Sequence, residues 1–144
     1  MNWSRDLGRT LDYLDTREDI DKAKIAYVGA SQGGWVAPVL LKVEPRIKTG
    51  VLLDGGFPFT RYPPEVDPLN FAPRVTIPVL MVNGRYDFTY PHQLNQVPLF
   101  KVLATPAQDK QHILYETAHD VSVMRTEMIR DVLAWLDKYL GKVR

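Results

Sequence analysis

Ile25-Ala26-Tyr27-Val28-Gly29-Ala30-Ser31-Gln32-Gly33-Gly34 is the stretch on which the reading of this chain turns. Four apolar residues in succession predict a short buried strand. They run into Gly29-x-Ser31-x-Gly33 and then into a helical pattern from Trp35 to Val43. A serine between two glycines where a strand turns into a helix has the form of a nucleophile elbow. The tight turn pushes the serine into a sparsely allowed part of φ/ψ space, where its hydroxyl projects free of both elements. Side chains two residues before and after it would crowd the crossing, which Gly29 and Gly33 avoid. The helix that follows aims unpaired N–H groups back at the serine, favouring negative charge there.

Two other readings compete on this stretch alone. Glycines at any strand–helix turn can be purely structural. A Gly-rich turn can also cradle a dinucleotide, and Asp54 follows Gly34 by about 20 residues, where a ribose-binding acid would stand. Against that, Gly29-x-x-x-Gly33-Gly34 lacks the required G-x-G-x-x-G spacing, and Trp35 crowds the first helical turn.

The flanking sequence supplies the elbow's partners. Thr49 to Leu53, Ile77 to Val82 and His112 to Glu116 are three further short apolar runs. Helical patterns separate them: Trp3 to Leu14 before the first strand, a helix from Pro91 to Leu103, and Met124 to Leu140, stopped by Gly141. Pro38 lies inside the elbow helix and predicts a kink there. Between Phe57 and Val75 periodicity disappears into a loop stiffened by five prolines and carrying Phe57, Phe59, Tyr62 and Phe71. Such a loop either covers one end of the core or borders a pocket. Short strands alternating with helices, without polar alternation, predict a mostly parallel α/β sheet of about four strands covered on both faces, a three-layer sandwich. No internal repeat or second domain is visible, so residues 1–144 read as one domain.

In such a sheet, ligands meet the carboxyl ends of the strands. The residues just past the four strands are Ser31, Asp54, Asp87 and His119. A serine hydroxyl needs a base to take its proton, histidine is suited to the task near neutral pH, and a carboxylate on its far nitrogen fixes the tautomer. Asp87 reads as that acid, with Asp54 competing for the role. His92 and His112 are weaker candidates for the base, one at a helix start and the other at a strand's beginning. Asp120, next to His119, reads as a helix-start residue.

The motifs IAYVGASQGG (25–34), PVLMVNGRYDFTYP (78–91) and LYETAHD (114–120) resemble the α/β-hydrolase superfamily, closest to its dienelactone-hydrolase-like and prolyl-oligopeptidase-like esterases and peptidases. Asp67 to Arg74 and WLDKYLG (135–141) resemble corresponding parts of these enzymes. The resemblance implies Ser31 as nucleophile, His119 as base, Asp87 as acid and the Gln32 backbone N–H as an oxyanion donor. Trp35, Phe57, Phe59 and Phe71 would border a pocket for small, apolar acyl groups. Ala118 departs from the glycine many members carry before the histidine. A larger departure is that the family's earlier strands, and the loop giving its second oxyanion N–H, have no counterpart in this sequence. The chain thus reads as the C-terminal half of the fold. The strand Ile25–Gly29, central in the family, becomes an edge with unpaired backbone, so self-association through it is expected.

The expected function is a serine esterase acting on small carboxylic esters, with a prolyl-oligopeptidase-type peptidase, or a weak or inactive assembly module, as alternatives. Composition narrows the field further. A net charge of +1 without a basic stripe gives no support for nucleic-acid binding. Three histidines without metal-ligand spacing and zero cysteines argue against a metal site, and exclude disulfides and a cysteine nucleophile. No run approaches the ~20 apolar residues of a membrane span, and no signal peptide is seen, so a cytoplasmic location is expected. No cofactor is implied.

Overall fold

A computed structural model describes residues 3–142. Its sheet has four strands, β1 (Ala26–Ala30), β2 (Thr49–Leu53), β3 (Val79–Gly84) and β4 (Lys110–Tyr115), in the spatial order β1-β2-β3-β4. All three pairings are parallel. Each connection therefore crosses over, and consecutive strands add on the same side. Five helices surround the sheet: α1 (Trp3–Asp15), α2 (Gln32–Val43), α3 (Pro68–Phe71), α4 (Val97–Val102) and α5 (Arg125–Leu140).

Burial on both faces explains why the strands lack polar alternation. Leu52 and Met81 point toward α1, α2 and α4, where Leu11, Ala37, Leu41 and Leu99 close the core. Their neighbours Val51 and Leu80 face the opposite way, onto Trp135 of α5. Each fully buried aliphatic side chain contributes about 1.5–3 kcal/mol. Trp135 also donates from Nε1 to Thr49 Oγ1 at 2.8 Å, tying α5 to β2. The result is the three-layer arrangement.

Three elements differ in detail from the sequence reading. The aperiodic segment holds α3, started by Asp67, whose side chain accepts from the Leu69 N–H at 3.0 Å, and by Pro68 in the first turn. An Asp-Pro pair is a helix-start signal that the surrounding prolines obscured. The helix expected from Pro91 is split into a π turn over His92–Gln96 followed by α4, so Pro98 falls in α4's first turn and breaks nothing. β1 lacks the full burial that its four apolar residues alone suggest, with Val28 51% exposed, because it stands at the sheet edge that the family comparison led us to expect. Gly141 ends α5 with φ of 78°, as a terminating glycine should. Among the described residues no helix is long and apolar enough to cross a membrane.

Candidate active site

The hydrogen-bond ladders of the sheet extend past the strand ends and fix the residues that follow. Ser31 N donates to Leu53 O at 2.8 Å, and Asp54 N to Val82 O at 2.9 Å. Arg85 N donates to Tyr115 O and Tyr86 N to Thr117 O, at 2.8 and 3.0 Å. Ser31, Asp54, Asp87 and His119 consequently meet at one edge, although 88 positions separate the first from the last.

Ser31 carries the strain expected of an elbow, with φ 48° and ψ −103°. A non-glycine residue held there costs about 1–3 kcal/mol, supplied by the surrounding packing. A Cβ on Gly29 would stand 2.6 Å from Gly33 O, so glycine is required at that position. Gly33 differs from expectation: a Cβ there would meet only the Tyr27 hydroxyl, at 3.3 Å. The second tight crossing is at Gly34, whose Cβ would lie 2.8 Å from Gly55 Cα. The Ser31 carbonyl accepts from Trp35 N at 3.0 Å. The N–H groups of Gln32, Gly33 and Gly34 are thereby left without an intrahelical acceptor at the start of α2.

His119 lies between the other two groups. Its Nε2 is 2.8 Å from Ser31 Oγ, and its Nδ1 is 2.9 Å from Asp87 Oδ2. An ionised carboxylate only accepts, so the ring proton belongs on Nδ1 and Nε2 is free to take a proton from the serine. The Asp87 side chain is fully buried, whereas that of His119 is 25% exposed. Asp87 Oδ1 accepts from Thr89 N at 2.8 Å and from Tyr90 N at 3.0 Å, which holds the carboxylate rigidly. Tyr90 packs against the imidazole, with ring centroids 5.6 Å apart.

The competing residues fall elsewhere. Asp54 does not reach the imidazole nitrogens; its Oδ2 accepts from Val121 N at 3.1 Å. Burial, with Asp87 and Asp120 nearby, pushes its carboxyl up to about 6, against the opposing Val121 N–H and His119. Asp120 caps the turn after His119 by accepting from Ser122 N at 2.9 Å. His112 stands within β4 and is 3.0 Å from Asn83 Oδ1; burial, then the neighbouring His92, pushes it down to about 4.

The aromatic residues expected to border a pocket are divided. Trp35 is 5% exposed, stacked on Tyr62 at 5.0 Å and packed against Trp3, so it serves the core and has no face left for a ligand. Phe57 and Phe71 are half-buried against the core clusters, and Phe59 is 67% exposed. Sequence reasoning missed Gln96, which is buried in the π turn and donates from Nε2 to Gly84 O at 3.1 Å and Tyr90 O at 2.8 Å, bracketing the Asp87 loop. It also missed Glu116, which accepts from Arg85 and Tyr86 across the same loop. No local pattern marks either residue, because both act through tertiary contacts.

Among solved structures, a cold-adapted esterase from an Arctic intertidal metagenomic library is similar to this chain, with TM-score 0.77 and 24% identity. The match covers 95% of this chain and 57% of the esterase. The chain has the α/β-hydrolase fold, in part. An esterase of Pyrococcus furiosus matches with TM-score 0.81 at 17% identity, over 97% of this chain and 63% of its own. The acylaminoacyl peptidase of Pyrococcus horikoshii matches with TM-score 0.75 at 16% identity, over 92% and 27%. The chain thus spans little more than half the length of these esterases. No protein-family model matches the sequence, and no curated protein does.

Proposed function

We propose that this chain is a serine hydrolase that cleaves small carboxylic esters through an acyl-enzyme. The observation that carries the reading is the continuous line from Ser31 Oγ through His119 to Asp87, with spacings of 2.8 and 2.9 Å. Ser31 Oγ attacks the ester carbonyl carbon as its proton passes to His119 Nε2, and Asp87 stabilises the imidazolium. The Gln32 N–H supports the oxyanion from the helix start. Collapse expels the alcohol, protonated by His119. A water molecule, deprotonated by the same ring, then releases the acid and restores Ser31. The loop carrying Phe57, Phe59 and Phe71 borders the acyl group.

The test is hydrolysis of a p-nitrophenyl ester series by wild type and Ser31→Ala, alongside fluorophosphonate labelling of folded protein. Burst release and label on Ser31 support the reading; absence of both removes it in favour of an inactive assembly module. Preference for a blocked peptide amide over the esters would establish the peptidase alternative, which the fold shared with the acylaminoacyl peptidase keeps in view.

The chain is further proposed to self-associate through β1. Support comes from the unpaired edge and from exposed Val28. Ile129 and Leu133 of α5 add exposed apolar surface, at 41% and 54%.

A further inference from the structure

Two anchors bracket His119, each two residues away. On one side the Thr117 carbonyl accepts from Tyr86 N at 3.0 Å, which joins the loop to the end of β3. On the other side Val121 N donates to Asp54 Oδ2 at 3.1 Å, which joins it to the end of β2. The second anchor is a side chain, and the sequence offers it as a competing acid without giving it this work. We propose that Asp54 is a positioning residue for His119, its carboxylate holding the Val121 N–H and so fixing the loop that carries the base over Ser31.

The support on which Asp54 stands is rigid. Its N–H is paired with Val82 O at 2.9 Å, and the next residue's carbonyl, Gly55 O, accepts from Asn83 Nδ2 at 2.8 Å. Gly55 is pressed against Gly34 at the start of α2. The preceding residue, Leu53, takes the Ser31 N–H. One short segment, 53–55, therefore holds the nucleophile through backbone and the base's loop through a side chain.

Asp54 also bears costs that packing alone does not explain. Its φ is 50°, and apart from Ser31 it is the only non-glycine residue with positive φ among those described. It is 95% buried, and its Oδ1 has no partner. The charged or titratable groups that bear on it are His119, Asp87 and Asp120. A buried carboxylate with one idle oxygen and a left-handed backbone is expensive, and such costs concentrate where geometry matters. Asp and Asn tolerate this φ better than other side chains, and glycine tolerates it fully.

That tolerance separates the side chain's role from the backbone's. Asp54→Gly removes the acceptor while suiting the φ, and Asp54→Asn keeps an acceptor oxygen without the charge. Val121→Pro deletes the donor from the other side. It falls at the first position of the turn, where proline is accommodated, and the extended Asp120 before it suits a following proline. The consequence in rate rests on the hydrolase reading; the position of His119 does not. We therefore expect Asp54→Gly and Val121→Pro to lower kcat for p-nitrophenyl acetate by about 10–100-fold with KM little changed, and Asp54→Asn to restore it to within about threefold. In parallel, the low-field proton NMR resonance of His119 Nδ1–H should persist in wild type and Asp54→Asn and vanish in the other two at equal temperature. An inactive wild type would remove the hydrolase reading, and the resonance would still judge the anchor. The proposal is overturned if Asp54→Gly keeps the resonance, or if Asp54→Asn loses it as fully as Asp54→Gly.

Discussion

Gly34 and Gly55 pack backbone to backbone, so close that a Cβ on Gly34 would stand 2.8 Å from Gly55 Cα. This contact lets α2 start directly over the end of β2 and sets the depth at which Ser31 sits. Gly33, inside the Gly-x-Ser-x-Gly pattern, is under no such pressure.

The two glycines should therefore respond oppositely to alanine. Both lie in the first turn of α2. Alanine favours a helix over glycine by up to about 1 kcal/mol. Gly33→Ala should be neutral or stabilising by that amount, because only a tyrosine hydroxyl stands near. Gly34→Ala should lose about 1–3 kcal/mol through overpacking against backbone that cannot yield. Urea unfolding of the two variants measures the difference, and equal midpoints would contradict it.

Asp87→Asn should cost about 10⁴-fold in kcat with little loss of stability. The asparagine oxygen would keep the Thr89 and Tyr90 N–H groups now held by Oδ1. Its NH₂ would then face His119 Nδ1 and force the proton onto Nε2, the wrong tautomer for accepting from Ser31. Ser31→Ala should remove at least as much activity. Steady-state ester hydrolysis with matched thermal melts checks both.

Stability between pH 4 and 6.5 should reflect two groups with opposite signs. His112 is held down to about 4, whereas an unfolded histidine titrates near 6.5. The unfolded chain binds the extra proton in that window, so this contribution is lost as pH falls, by about 2–3 kcal/mol in all. Asp54 is held up at about 6 against about 3.9 unfolded. There the folded chain binds the extra proton, and the contribution, fully present below the unfolded value, is lost as pH rises through about 6. Melting temperatures from pH 4 to 7 should fall more steeply on acidification in Asp54→Asn than in wild type, and less steeply in His112→Gln. Parallel curves for all three proteins would refute the assignment.

Val28→Lys should shift the chain toward monomer. A lysine on an open strand edge opposes edge-to-edge pairing, and Val28 is 51% exposed, so the fold should tolerate it. Light scattering at micromolar concentration on wild type and variant decides; a wild type that is already monomeric removes the interface.

The α/β class, the four strands and the placing of Ser31, Asp87 and His119 just past three of them were legible in the sequence. Apolar runs buried on both faces and glycine at a strand–helix turn leave direct traces in residue order. The π turn before α4 and the roles of Gln96 and Glu116 were not legible, because their partners lie on other elements. Trp35 illustrates the same limit. An aromatic residue beside a nucleophile reads as a pocket wall, and only the stacking of Tyr62 and the approach of Trp3 show that its faces are occupied.

By itself, then, the sequence determined the elements and the chemical types at their ends, since strand burial, helix periodicity and turn sterics act over a few residues. The tertiary structure decided what each of the two acids faces. Asp87 and Asp54 each follow a strand, and nothing local distinguishes them. The ladder at Tyr86–Thr117 carries His119 over to Asp87. Asp54 is left facing the Val121 N–H, because parallel pairing fixes which strand ends stand side by side.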